Sequence, residues 1–255
     1  MTLLLFVIGF VGAFISGLIG VGGAIVLIPM LLYLPPLLGF TPLGLVEIGG
    51  MSIVQVLAAS LIGLLSHRKA GHFSTRVALP MGLAMAGASA IGGALSRHVP
   101  TGALSGLFAA LAATASLLMV LPAPASADGE TLPEDFKPAR AAAIASGVGV
   151  LSGLLGAGGA FLLSPLMRSM LGLPLRLIIG NSLAIVFLSA LSATTAKALT
   201  GQIPWQHAAL LVTGAVVGAP IGAKASLRAP VKALRWAMAL VIGATALKMA
   251  LDTWG

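Results

Sequence analysis

Long apolar runs separated by short polar stretches dominate the chain. Each run has at least the roughly 18 residues that a helix needs to cross a lipid bilayer. The longest polar stretch, 122–139, holds four prolines and four acidic residues, which is typical of a linker. We therefore expect an N-terminal membrane unit over 1–121, a linker over 122–139 and a C-terminal membrane unit over 140–255. The eight apolar runs lie at about 3–34, 43–65, 77–96, 101–121, 140–170, 175–198, 206–226 and 230–251.

The composition predicts an all-α polytopic membrane protein. Hydrophobic residues make up 58% of the chain, charged residues 8%, and the mean hydropathy is +1.10. A soluble domain carries about 25% charged residues. The net charge of +8 comes from basic residues scattered among the loops, as in membrane proteins, so we expect no nucleic-acid partner. Without cysteine, and without a histidine pair at metal-ligand spacing, we expect no metal and no cofactor.

One phrase occurs twice in the sequence. Residues 16–29 read SGLIGVGGAIVLIP and residues 152–165 read SGLLGAGGAFLLSP, at an offset of 136. Later glycines and prolines match in order at an offset of 130, which indicates a duplicated unit of four segments. A glycine cluster inside an apolar run weakens a helix. We therefore predict two repeats whose first segments, 1 and 5, are broken or re-entrant at the motif, with a tilted or kinked helix as the alternative.

The distribution of basic residues favours re-entrant segments. If all eight segments crossed, the two sides would carry 7 lysines and arginines each, without the bias usual in membrane proteins. If segments 1 and 5 return to the side they entered from, the count becomes 11 against 3. The two repeats are then inverted, the linker is cytoplasmic and both termini are extracytoplasmic.

A break in an intramembrane helix creates a site for an anion. The backbone N–H groups of the following half-helix lack intrahelical partners and carry the positive end of its dipole. Two such ends, related by the repeat, would hold one substrate near the midplane. The alternative is that the glycines only permit close helix packing. The candidate residues are Gly20, Gly22, Gly23 and Ala24 in the first repeat and Gly156, Gly158, Gly159 and Ala160 in the second.

Polar residues early in segments 2 and 6 complete the candidate site. Ser52 follows a matched glycine in segment 2, as Asn181 and Ser182 do in segment 6. Their side chains would bond either ligand oxygens or the backbone of their own helix. Gln55, one turn beyond Ser52, is either a ligand contact or an interhelical hydrogen bond.

The paired SGLxGxGG phrases, each followed by a GxS element and a loop glycine, resemble the sulfite exporter TauE/SafE family. The resemblance covers both repeats and implies a bacterial inner-membrane exporter of small anions such as sulfite, sulfoacetate or other organosulfonates. Many members carry a third glycine where this chain has Ala24 and Ala160, and Met51 stands opposite Asn181 of the second repeat. These departures leave the size and polarity of the pocket open.

The resulting hypothesis is a secondary transporter that works by alternating access of its two repeats. An anion channel is the alternative. An intramembrane enzyme is less favoured, because no aspartate in the predicted segments accompanies the serines. Glu47 and Lys197 lie near segment ends, where each either serves coupling or reaches the interface. A coupling ion (proton or sodium) and a homo-oligomer are left open.

Overall fold

A computed structural model describes residues 1–19, 24–67, 73–120, 132–133 and 136–226. Within these ranges the chain forms nine α-helices, one 3-10 turn and no strand. The run predicted at 230–251 and most of the linker lie outside the described residues. The helices are α1 (Thr2–Ile19), α2 (Ala24–Leu37), α3 (Leu45–His67), α4 (Thr75–Leu95), α5 (Thr101–Val120), α6 (Pro138–Leu155), α7 (Ala160–Leu171), α8 (Leu175–Leu199) and α9 (Trp205–Ser226), with the 3-10 turn at Ser96–His98.

Four stretches of the described chain are long and apolar enough to cross a membrane. Between 39% and 50% of each is buried inside the protein, which leaves apolar surface for lipid. The chain is therefore a helical membrane protein, in agreement with its composition. The four stretches are Leu45–Leu65, Thr75–His98, Pro138–Leu155 and Gly180–Leu199.

The first predicted segment of each half corresponds to two helices. Segment 1 covers α1 and α2, and segment 5 covers α6 and α7. Helix α6 begins at Pro138, two residues earlier than the predicted segment. Proline suits the first helical position, because its fixed φ is helical and the N–H it lacks would have no intrahelical partner.

Helices α4, α6 and α8 run in the same direction. Gly149 of α6 packs on Met85 of α4, and one turn later Gly153 packs on Ser89. Helix α8 also runs parallel to α4. Gly82 of α4 packs on Ile185 and Leu188 of α8, and Gly93, further along α4, packs on Ala193, further along α8. The starts of the three helices consequently lie at one end of the structure.

Helices α1, α3 and α9 run in the opposite direction. Gly63, near the end of α3, packs on Leu183 near the start of α8, so these two helices are antiparallel. Gly50, near the start of α3, packs on Gln202 just before α9 begins, so α3 and α9 start together. Helix α1 runs parallel to α9. Phe6 and Phe10 of α1 pack on Gly214 of α9, and Phe10 also packs on Gly218. Further along both helices, the buried Ala13 clusters with Ala215 and Ala219.

Glycines bring several of these helices into backbone contact. A Cβ at Gly153 would collide with Ser89 O of α4 and lie 2.8 Å from Gly93 N. A Cβ at Gly147, on the same helix α6, would meet nothing within 4 Å. Small residues at helix interfaces allow such approach in membranes, where burial from water does not drive helices together.

The α4–α6 contact predicts opposite effects for two substitutions on α6. We expect Gly153→Ala to lower stability by about 1–3 kcal/mol, because the backbones must separate. Gly147→Ala should leave stability unchanged or slightly raise it, since alanine favours the helix. Thermal unfolding of the purified variants in detergent measures both. Equal melting temperatures for Gly153→Ala and Gly147→Ala would contradict the packing.

Candidate functional site

The chain leaves helical conformation between α6 and α7. Helix α6 ends at Leu155 and α7 begins at Ala160. Gly156, Gly158 and Gly159 have φ values of 72°, 68° and 70°. A side chain in this left-handed region costs about 1–2 kcal/mol, so glycine is the residue that forms the turn without strain. We refer to residues 156–160 as the second-repeat turn.

The second-repeat turn is enclosed by protein. All five of its residues are buried. A Cβ at Gly156 would collide with Gly49 O of α3, and one at Gly158 with Val56, near the middle of α3. At Gly159 it would lie 2.5 Å from Met85 Cε, near the middle of α4. The turn therefore lies deep among helices that are long enough to span the membrane.

The chain folds back along α6 after the turn. A Cβ atom added to Gly159 would lie 3.0 Å from Ser152 Cβ and 3.0 Å from Val148 Cγ1. Both of these residues lie on the last two turns of α6. Helix α7 thus starts beside α6 and does not continue its axis.

Three backbone N–H groups of the turn are unpaired. Gly156 and Ala157 donate to Ser152 O at 2.8 and 3.1 Å, whereas Gly159 O accepts bonds from the first turn of α7. Within the described residues, no hydrogen bond is donated by the N–H groups of Gly158, Gly159 or Ala160. Buried N–H groups are rarely left without a partner, so these donors are available to a ligand or water.

Two buried hydroxyl groups beside the turn are also unpaired. Ser52 is fully buried and Ser152 is 3% exposed, and neither Oγ has a hydrogen-bond partner. Ser52 lies on the face of α3 that contacts the turn, because Gly49 precedes it by three residues and Val56 follows it by four. Ser52 was a sequence candidate, whereas Ser152 was not; its match with Ser16 in the doubled phrase was the available signal.

The amide side chains of the candidate site have structural partners. Gln55 Nε2 donates to Gly9 O of α1 at 3.0 Å, so of the two interpretations the interhelical bond is the one observed. Asn181 Nδ2 donates to Leu177 O at 2.7 Å, and its Oδ1 accepts the N–H of Ser74 at 3.0 Å. Ser182, beside Asn181, is buried as well.

The first-repeat motif is only partly described. Gly20, Gly22 and Gly23 lie outside the described residues, between the end of α1 and the start of α2. Ala24, the first residue of α2, is fully buried. Helix α2 thus begins at the position that corresponds to the start of α7 in the second repeat.

Comparison with known proteins identifies the family. The profile of the sulfite exporter TauE/SafE family matches residues 5–249. The chain belongs to this family. No solved structure matches it significantly.

Curated relatives of this family member are named as membrane transporters. YunE of Bacillus subtilis, a probable membrane transporter protein, is 26% identical over 94% of this chain and 93% of its own length. A probable membrane transporter protein of Xylella fastidiosa is 30% identical over 84% of this chain and 80% of its own. The probable membrane transporter MamO of Paramagnetospirillum magneticum is 34% identical over 48% of this chain and 20% of its own length. These names indicate a transporter and not an enzyme.

The described residues of this TauE/SafE protein contain no metal-binding cluster of histidine and acidic side chains. Their only carboxylate side chain, Glu47, is exposed and accepts the N–H of Gly44 at 3.2 Å. The second-repeat turn is therefore lined by backbone N–H and hydroxyl donors, without a carboxylate among the residues described.

The free hydroxyl of Ser52 predicts an unusual mutational result. We expect Ser52→Ala to leave stability unchanged or to raise it by about 1 kcal/mol, because a buried unpaired hydroxyl is lost. Ser89→Ala is the matched control and should lower stability, since Ser89 Oγ donates to Ser189 O of α8 at 2.9 Å. Melting temperatures in detergent without substrate compare the two. An equal loss in both variants would mean that Ser52 has a structural bond.

Proposed function

We propose that this protein is a secondary transporter of small oxyanions, sulfite and organosulfonates such as sulfoacetate, across the bacterial inner membrane. The anion is held at the start of α7, and by the repeat at the start of α2. The observation that carries the proposal is the buried second-repeat turn, where unpaired N–H groups lie beside unpaired serine hydroxyls in a family of transporters.

The donor set of the turn suits an oxyanion. The N–H groups of Gly158, Gly159 and Ala160 lie at the positive end of the α7 dipole. The hydroxyls of Ser52 and Ser152 add two neutral donors, and the described residues place no carboxylate there to repel an anion. Neutral donors bind an anion without a permanent ion pair, which favours its release on the other side.

Helix directions support re-entrant first segments. Because α4 is parallel to both α6 and α8, the starts of α6 and α8 lie at the same end of the structure. The chain from the start of α6 to the start of α8 must then return to the end that it left. Helices α1 and α3 also run in one direction, so their starts lie at the same end of the structure. The chain between these two starts must likewise return to the end that it left.

Helix pairing supports two inverted repeats. By the sequence offsets, α1 corresponds to α6 and α4 to α9. The most extensive helix contacts are α1 with α9 and α4 with α6, so each repeat packs its first helix on the fourth element of the other. A two-fold rotation that exchanges the two repeats would interchange these two helix pairs. It would also make the corresponding helices α3 and α8 antiparallel, as inverted repeats require.

The charges at the two ends support a cytoplasmic location for the starts of α4, α6 and α8. Of the eight lysines and arginines in the described residues, six lie at this end and two at the other. Basic residues are enriched on the cytoplasmic side. The six are Arg76, Lys137, Arg140, Arg168, Arg176 and Lys224, and the two are Arg97 and Lys197.

Transport assays test the function. Proteoliposomes containing the full chain should take up radiolabelled sulfite or sulfoacetate with saturation. Gly159→Ala should reduce uptake about tenfold or more, the effect of a cost of about 1.4 kcal/mol at the site. Gly172→Ala is the control: its φ of 61° imposes similar strain, but a Cβ there meets nothing within 4 Å. No saturable uptake by the unmodified protein would refute the proposal, and single-channel conductance would point to a channel.

Single cysteines test the topology, because the chain has none of its own. We expect cysteines at Thr75 and Ser169 to react with an impermeant maleimide from one side of the membrane. Cysteines at Thr41 and Gln206 should react from the other. All four positions are exposed. If segments 1 and 5 crossed fully, Thr41 would share a side with Ser169, and Thr75 with Gln206.

A further inference from the structure

A fully buried lysine lies at the end of α8. The side chain of Lys197 has 0% exposure. Its Nζ donates to Ser96 Oγ at 2.6 Å and to Gln202 Oε1 at 3.1 Å, and both acceptors are neutral. The only carboxylate side chain in the described ranges, Glu47, is exposed in the first turn of α3 and accepts the N–H of Gly44. Lys197 therefore has no counter-ion among the residues described, although burying a charge without one is costly.

The hydrogen bonds around Lys197 offer its amino group two acceptors. Gln202 Nε2 donates to Gly93 O at 2.9 Å and to Thr200 Oγ1 at 2.6 Å, which fixes the amide with its oxygen toward Nζ. The two N–H bonds of a neutral amine match these two acceptors, and its lone pair stays free to accept a proton. An ammonium group has three N–H bonds, so one N–H and the full positive charge would remain without a partner.

The Lys197 cluster, which we define as Lys197, Ser96 and Gln202, adjoins the second-repeat turn. The backbone of Gln202 packs on Gly50 of α3, and the neighbouring Gly49 packs on Leu155 and Gly156. Two adjacent residues of α3 thus contact the cluster on one side and the turn on the other. A negative charge bound at the turn would thus lie one helix away from Lys197, which has no counter-ion among the described residues.

We propose that Lys197 binds the proton that accompanies the anion through the transporter. The inference rests on the proposed function and names its coupling ion. When the anion enters the turn, the lone pair of neutral Nζ takes up one proton from water. When the anion leaves, the N–H bond breaks and the proton returns to water on the side of release. One proton then moves with each anion in the same direction, and by linkage each raises the affinity of the protein for the other.

Other ionisable groups surround the cluster without bonding to Nζ. Arg97 and His98 are exposed on the 3-10 turn, and Glu47 is exposed on α3. His207 on α9 is partly buried, with an unpaired Nδ1. The ionisable residue of α6, Arg140, and that of α7, Arg168, lie toward the opposite end of the structure. Among the described residues, Lys197 is the charged side chain that is fully buried.

Proton movement during anion uptake tests the proposal. The full chain is reconstituted in liposomes that enclose a pH-sensitive dye, and sulfoacetate, which stays ionised near neutral pH, is added outside. We expect influx to acidify the interior. Lys197→Arg keeps the charge but does not release the proton, so it should bind sulfoacetate without acidification. Lys197→Gln should lose both proton movement and part of the affinity. Lys224→Gln, at an exposed lysine, and His207→Gln should behave like the unmodified protein.

Sulfoacetate binding as a function of pH gives a second measure. If one proton is taken up with each anion, affinity falls by up to about tenfold per pH unit as pH rises, because protonated Nζ becomes rarer. The affinity of Lys197→Arg should not depend on pH in this way. This measurement on the unmodified protein does not require that any variant folds.

Each outcome decides the proposal. Acidification together with pH-dependent affinity, both lost in folded Lys197→Arg, supports it. Uptake without acidification, a pH-independent affinity of the unmodified protein, or proton movement retained in folded Lys197→Gln overturns it and leaves the transport function intact. No saturable uptake of sulfite or sulfoacetate by the unmodified protein overturns the function and this inference together.

Discussion

Helices that are interrupted inside a membrane are subject to one constraint: lipid offers no hydrogen-bond partner to a backbone that leaves the helical conformation. The second-repeat turn satisfies it by lying wholly within protein, where α3 and α4 cover residues that have lost their helical partners. Glycine is needed twice for this purpose. It provides the left-handed conformations of the turn, and at Gly49 and Gly153 it lets neighbouring backbones approach closely enough to enclose it.

This enclosure also explains the chemistry that we propose. Where two helices meet at a backbone turn, the polar groups left over are N–H groups and small hydroxyls, and both can donate to an anion. A transporter must bind its substrate and release it again, so neutral donors are better suited than a row of fixed charges. In the proposed mechanism the cation is a separate group, Lys197, whose cluster contacts Gly50 of α3, next to the Gly49 that contacts the turn.

Several features followed from local sequence. Within the described ranges each predicted apolar run coincides with one or two helices, because apolar runs of sufficient length have few alternatives in a bilayer. The glycines at 156, 158 and 159 favour an end of the helix at that point, and α6 ends there. The position of α6 differed slightly at its start, where Pro138 proved compatible with the first helical turn.

The sequence by itself determined that this is a helical membrane protein of the TauE/SafE family, because length, hydropathy and the doubled phrase are local or repeated properties of the chain. Only the tertiary structure decided which polar side chains are free. Gln55 is bonded to Gly9, 46 residues away, and Asn181 to Ser74, 107 residues away, whereas Ser52 and Ser152 have no partner. The physical reason is that a buried hydrogen bond depends on which distant backbone groups the fold brings within about 3 Å, and no local pattern encodes that.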